Sequence, residues 1–156
     1  MGRKLDPTIL VIFGITGDLS REKLLPALYH LHQDGLLPKK IAIVGFARSE
    51  FTHQSFRRRI KPKNIRSSSS WLKFAKKIYY HRGDITEPSS FQSLADLLQG
   101  LETRGHSCAN RLFYFATLPT HYETISHGLG RLGSWLAARS TKDKPARSLK
   151  SLLEPI

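Results

Sequence analysis

The sequence predicts a doubly wound α/β fold built on a parallel sheet. Three observations carry that prediction. Apolar runs rich in β-branched and aromatic residues recur along the chain, stretches of helical spacing separate them, and the first run ends abruptly at Gly14. With 156 residues the chain is long enough for one domain with a real core, and its 40% hydrophobic and 24% charged content is ordinary for a globular protein.

Residues 9–13, Ile-Leu-Val-Ile-Phe, are continuously apolar, the pattern of a central strand buried on both faces. Leu24, Leu28 and Leu31 recur at helical spacing with Leu25 beside them, predicting an amphipathic helix over about 19–33. Gly35 and Pro38 stop it. Residues 41–45, Ile-Ala-Ile-Val-Gly, predict a second strand and complete a βαβ unit, whose crossover favours a parallel pair. A short basic helix is expected over 51–60, and the serine run at 67–70 reads as a loop. Residues 78–81 predict a third strand that stops at Gly83-Asp84. Pro88 then opens a helix carrying Phe91, Leu94, Leu97 and Leu98. Residues 111–116 predict a fourth strand, ended by Leu118-Pro119, with a helix over about 121–130 after it.

Composition narrows the function classes. The apolar run at 8–13 is too short for a signal segment or a membrane span, so a cytoplasmic, soluble chain with no membrane partner is expected. Cys108 is the only cysteine, which rules out an intrachain disulfide and fits a reducing compartment; it reads as an inert thiol. The net charge of +13 is local: residues 48–82 hold eleven Lys or Arg against the single acid Glu50. Within that patch lie Arg57, Arg58, Arg59, Lys61, Lys63 and Arg66, interleaved with Phe56, Trp71 and Phe74. A basic nucleic-acid-binding module over 48–82 is therefore the alternative function. A solvated basic helix and loop is favoured over it, because no known nucleic-acid module surrounds the patch.

None of the seven histidines has a metal or triad partner in the sequence pattern. His30 and His32 stand two apart and face different sides of one helix, while His121 and His127 read as surface residues. A small short-chain reductase would need a Tyr-x-x-x-Lys pair after the fourth strand, and Tyr114 and Tyr122 lack it. No catalytic residue and no metal site is assigned.

Gly14-Ile15-Thr16-Gly17-Asp18-Leu19 lies where the first strand meets the first helix. Gly14 suits a tight turn with positive φ, and Gly17 lets the backbone approach a diphosphate closely. Unpaired N–H groups at the start of the helix, at the positive end of its dipole, suit that anion. This is a Rossmann-type dinucleotide turn, although Thr16 occupies the middle glycine position. Arg48 follows the second strand, where folds that prefer NAD carry an acid for the ribose hydroxyl. A guanidinium there pairs two-pronged with phosphate, so the 2′-phosphate of NADP is the natural ligand.

The longer string Gly14-Ile15-Thr16-Gly17-Asp18-Leu19-Ser20-Arg21-Glu22-Lys23-Leu24-Leu25-Pro26-Ala27-Leu28 resembles the nucleotide-binding signature of the glucose-6-phosphate dehydrogenase family. Pro26 is its telling member, since a generic helix would avoid it at a cost of about 3 kcal/mol. The resemblance continues through Asp34-Gly35-Leu36-Leu37-Pro38, Ile43-Val44-Gly45-Phe46-Ala47-Arg48-Ser49 and Arg82-Gly83-Asp84-Ile85-Thr86. It resumes over Asn110 to Pro119, although Leu118 stands where the family usually has a first proline. It implies an NADP-binding domain over 8–130, with Asp84, Ile85 and Thr117 lining the cofactor cleft beside Gly14 to Leu19 and Arg48.

In the intact family a histidine base helps transfer hydride from C1 of glucose 6-phosphate to NADP, the first step of the oxidative pentose phosphate pathway. The family's Glu-Lys-Pro-Phe-Gly and Arg-Ile-Asp-His-Tyr-Leu-Gly-Lys motifs are not found here. The resemblance therefore implies a fragment, incomplete at the carboxyl end and inactive alone, for which glucose 6-phosphate is a partner only in the intact family. Residues 131–156 read as a linker and an out-of-frame tail without a packing partner. Residues 149–156 can be written in codons as TTG AAA AGC CTT TTG GAA CCN ATN, and one shifted frame of that string spells Glu-Lys-Pro-Phe-Gly-Thr. Loss of the following strand would leave an exposed sheet edge open to self-association.

Overall fold

The computed structural model describes residues 5–63, 65, 69–104 and 110–140, with side chains as far as residue 133. Arg66, Cys108 and residues 141–156, on which some of the expectations fall, lie outside the described residues. Strands β1 (Thr8–Phe13), β2 (Ile41–Ala47), β3 (Ile78–Arg82) and β4 (Asn110–Phe115) form one parallel sheet in the order β3-β2-β1-β4. In register, Phe13 at the end of β1 lies opposite Phe46 of β2 on one side and Phe115 of β4 on the other.

The unbroken apolar run of β1 is explained by burial on both faces. Ile9, Val11 and Phe13 join one core cluster, with Phe91, Leu94 and Leu98 of α4 (Pro88–Thr103) and Ile125 and Leu129 of α5 (Tyr122–Ser140). Leu10 and Ile12 point the other way, into a cluster formed with α1 (Leu25–Gln33), α2 (His53–Arg59) and α3 (Ser69–Ala75). Alternate side chains of one strand thus hold two helical layers, which is the physical content of a doubly wound sheet.

Three local expectations need correction. The helix predicted over 19–33 is not uniform: Ser20–Leu24 winds as a π-helix before α1, and the Leu25 N–H reaches the Ser20 carbonyl five residues back. Pro26 supplies the reason. It has no N–H to donate and its ring crowds the carbonyl of the preceding turn, and a widened π turn relieves that contact. The serine run is not all loop, because Ser69 and Ser70 open α3; Trp71 and Phe74, 3% and 0% exposed, anchor that helix against Tyr29 of α1. The last helix, expected over 121–130, runs on to Ser140. Leu132 is fully buried in the α4–α5 core, so the packed body extends past residue 130.

The two sheet edges differ. Along β3, side chains of α2 serve the outer backbone: Arg57 Nε donates to the Ile78 carbonyl at 2.7 Å, and the Tyr80 N–H donates to His53 Nδ1 at 2.8 Å. One member of the arginine triplet is therefore engaged in covering an edge. Among the described residues β4 pairs only with β1, and its Leu112 and Tyr114 stay 49% and 42% exposed. Among the described residues no helix is long and apolar enough to cross a membrane.

Candidate functional site

The chain leaves β1 at the point where the sheet order reverses, with β2 on one side and β4 on the other. A crevice beyond the carboxyl ends of the strands opens at such a switch point. Gly14 makes the turn there at φ +80°, a conformation that suits glycine. A Cβ on Gly14 would sit 2.5 Å from the Ala116 carbonyl oxygen and 2.9 Å from Thr117 Cγ2, so the end of β4 closes directly on the turn.

The turn is tied down by its own backbone. Gly14 N–H donates to the Phe46 carbonyl at 2.9 Å, Ile15 N–H to the same oxygen at 3.4 Å, and Gly17 N–H to the Gly14 carbonyl at 3.0 Å. Ser20, fully buried, donates its hydroxyl to the Gly14 carbonyl at 3.0 Å. These bonds engage the amides of Gly14, Ile15 and Gly17 within the protein. Among the described residues, the Thr16, Asp18 and Leu19 amides have no hydrogen bond inside the protein, and they stand at the start of the helical run. Such orphan donors at the positive end of a helix suit an anion.

Arg48 and Ser49 follow the end of β2, both exposed. Thr16 of the turn and Ser49 beside Arg48 line one cleft of about 180 Å³, together with Arg21, Arg59, Phe51, Phe56 and Ile60. The turn and the segment carrying Arg48 therefore share a crevice. Asp84 lies beyond β3, close enough to Arg48 for the two charges to interact. Hydrogen bonds from the Thr86 N–H and hydroxyl, at 2.9 and 2.8 Å, hold the Asp84 carboxyl below its ordinary range, and the Arg48 charge adds to this.

Of the residues singled out from the sequence, Gly14, Thr16, Gly17, Asp18, Leu19 and Thr117 gather at the switch point, and Arg48 and Asp84 at the next strand ends. Two do not present their side chains. Ile15 is fully buried against Gly45, where a Cβ would meet the Ile15 side chain at 2.7 Å, and Ile85 packs on the α4–α5 core. Asp18 is engaged at its side chain with Arg21 at 3.8 Å, an exposed pair of small energetic weight. Ser20, Ser49, Arg21 and Arg59 were not anticipated. A serine three positions after the second glycine was the available signal for Ser20; Arg59 reaches the cleft only because α2 folds back over the turn.

Beside this crevice, on β3, the His81 ring lies 5.4 Å from the Phe46 ring, with Nε2 3.1 Å from the Ser90 carbonyl. Burial lowers its pKa from 6.5; the Ser90 carbonyl opposes this and the nearby His53 adds to it. A histidine whose folded pKa is depressed leaves the unfolded chain to take up the proton first as pH falls. Stability is then full above 6.5 and is lost between 6.5 and the lower folded value. The melting temperature should fall as pH drops from about 7.5 to about 5.5, and His81→Gln should reduce that fall. Melting curves followed by circular dichroism at the two pH values check it.

Comparison with known proteins gives one consistent answer. A family model described as the glucose-6-phosphate dehydrogenase NAD binding domain matches residues 11–147. The glucose-6-phosphate 1-dehydrogenase of Chlamydia pneumoniae is 40% identical over 135 residues, covering 83% of this chain and 26% of the relative. That of Bacillus subtilis is 36% identical over 122 residues, covering 78% of this chain and 25% of the relative. Among solved structures, a glucose-6-phosphate dehydrogenase in complex with its substrate glucose-6-phosphate superposes with a TM-score of 0.74 at 28% identity, covering 84% of this chain and 28% of that one. The chain thus spans about a quarter of the length of the curated relatives it matches.

Proposed function

This chain belongs to the glucose-6-phosphate dehydrogenase family, and from that premise we propose that residues 14–19 and Arg48 bind NADP. The observation that carries the reading is the shared crevice. Thr16 of the glycine turn and Ser49, next to Arg48, both line it, and the other orphan amides of the turn and Arg48 are their chain neighbours. The free amides of Thr16, Asp18 and Leu19 suit the diphosphate, and Gly17 keeps that approach open. Arg48 suits the 2′-phosphate, and no carboxylate occupies its position to favour the bare ribose hydroxyl. Thr117, beside Gly14, and Asp84 form the rim; Ile15 and Ile85 contribute by packing. When bound, the nicotinamide supplies a hydride acceptor.

Oxidation of glucose 6-phosphate is the activity named for the relatives, and we assign the sugar-phosphate site to the part of them that this chain does not span. The cytoplasm is the proposed location, in keeping with a single cysteine. The edge of β4, unpaired on its outer side among the described residues, is the proposed route of self-association. The linker and tail read from the sequence over 131–156 is proposed only after Ser140, where α5 ends, with a shifted frame near 147–149, next to the end of the family match, which sequencing the encoding DNA decides. Nothing in the crevice or among the relatives favours the nucleic-acid alternative, and Arg57 has a structural task.

Fluorescence titration with NADPH and NADH tests the cofactor reading. Hydrogen bonds to charged groups contribute about 1.5–3 kcal/mol, so Arg48→Ala should weaken NADPH roughly 10- to 150-fold. NADH binding should stay as in the wild type. Equal loss for both nucleotides would remove Arg48 from this role.

A further inference from the structure

The guanidinium of Arg48 has no hydrogen-bonded partner among the described residues, so its placement rests on the backbone that carries it. That backbone is held by a residue of another strand. Tyr80, in β3 and 5% exposed, brings its hydroxyl 2.5 Å from the Ser49 carbonyl and 3.2 Å from the Ala47 carbonyl. These two oxygens bracket Arg48. A phenol has one hydrogen, which here is shared between two acceptors on either side of one residue.

The ring of Tyr80 is fixed in turn. Its centroid lies 4.6 Å from that of Phe56 and 5.4 Å from that of Phe51, and both phenylalanines line the cleft that Thr16 and Ser49 share. Burial raises the pKa of the phenol, although Arg82 opposes the shift, so the hydroxyl keeps its proton and remains a donor. On the far side of the segment, Thr52 and Ser55 close a capping box that fixes where α2 begins. The stretch from Ala47 to Thr52 is thereby pinned at both ends, by Tyr80 on either side of Arg48 and by the capping box at Thr52.

We propose that Tyr80 is a positioning residue for Arg48, its hydroxyl holding the 47–49 backbone so that the guanidinium is presented to the crevice. The inference rests on the reading of Arg48 given above and extends it to a buried residue of the neighbouring strand.

The test is a set of four chains: wild type, Tyr80→Phe, Arg48→Ala and the double variant, each titrated with NADPH and NADH. Tyr80→Phe keeps the ring and its packing. Its melting temperature should change little, because the Ala47 carbonyl still accepts the Gly83 N–H at 2.9 Å and exposed Ser49 can turn to water. Loss of one positioned hydrogen bond should weaken NADPH about fivefold and leave NADH within about twofold. In the Arg48→Ala background the same change should have no further effect on NADPH, since Tyr80 acts through Arg48.

A Tyr80→Phe chain that keeps the full preference for NADPH, that loses both nucleotides alike, or that loses NADPH equally without Arg48 overturns the inference while the reading of Arg48 stands. A wild-type chain that takes NADPH no better than NADH overturns both.

Discussion

Gly14→Ala is expected to abolish NADPH binding and to lower the melting temperature by roughly 6–12 °C, equivalent to about 3 kcal/mol for a domain of this size. Two independent costs add. An L-residue at positive φ is disfavoured by about 1–2 kcal/mol, and Gly14 holds φ at +80°. The new methyl would also lie 2.5 Å from the Ala116 carbonyl oxygen, where real atoms do not come, so β4 or the turn must shift. Overpacking of this kind costs about 1–3 kcal/mol.

The functional loss follows from the same displacement. Gly14 N–H and Ile15 N–H anchor the turn to the Phe46 carbonyl, and Ser20 anchors it through the Gly14 carbonyl. A turn pushed off β4 misaims the Thr16, Asp18 and Leu19 amides together. Thermal unfolding and NADPH titration of the same sample measure both effects; a variant that melts as the wild type and binds normally contradicts the described packing.

Gly128→Ala should be the second most damaging change, by a route that leaves cofactor preference untouched. A Cβ at this position of α5 would stand 2.2–2.4 Å from three ring atoms of Phe91 in α4. That ring cannot retreat: it is 2% exposed and lies 6.1 Å from the Phe13 ring and 6.0 Å from the Phe46 ring, both nearly or wholly buried. Alanine favours a helix over glycine by about 1 kcal/mol, and the forced separation of the two helices outweighs it. The net expectation is a loss of about 2 kcal/mol, or roughly 4–8 °C. The ratio of NADPH to NADH affinity should be that of the wild type, since the crevice residues are elsewhere. Gly100→Ala serves as the control in the same thermal assay. Nothing lies within 4 Å of a Cβ there, so the helical preference acts alone and the melting temperature should rise.

Much of the fold was legible because it is written in local pattern. The continuous run of residues 9–13 announced a strand covered on both sides, and alternate members of β1 do enter opposite cores. Gly14 was legible as chemistry, a residue type standing where the chain must turn, and the proposal for Arg48 was drawn from residue type in the same way. Short helices are harder to read. Trp71 and Phe74 of α3 carry too few turns for periodicity to register, and Ser69 and Ser70 favoured a loop by composition. The π turn at Ser20–Leu24 was hidden for another reason: Pro26 signals a conflict in the helix and leaves open how the backbone resolves it.

The sequence by itself determined the fold class and the family, because each depends on residue types at close spacing along the chain. Only the tertiary structure decided which amides remain free, that Tyr80 clamps the backbone at Arg48, and that Phe91 leaves no room beside Gly128. The bonds of Gly14 and Ile15 to Phe46, of Tyr80 to Ser49, and the contact of Gly128 with Phe91 join residues far apart in the chain, which no local period encodes. They exist only once β3 lies beside β2 and α5 packs on α4.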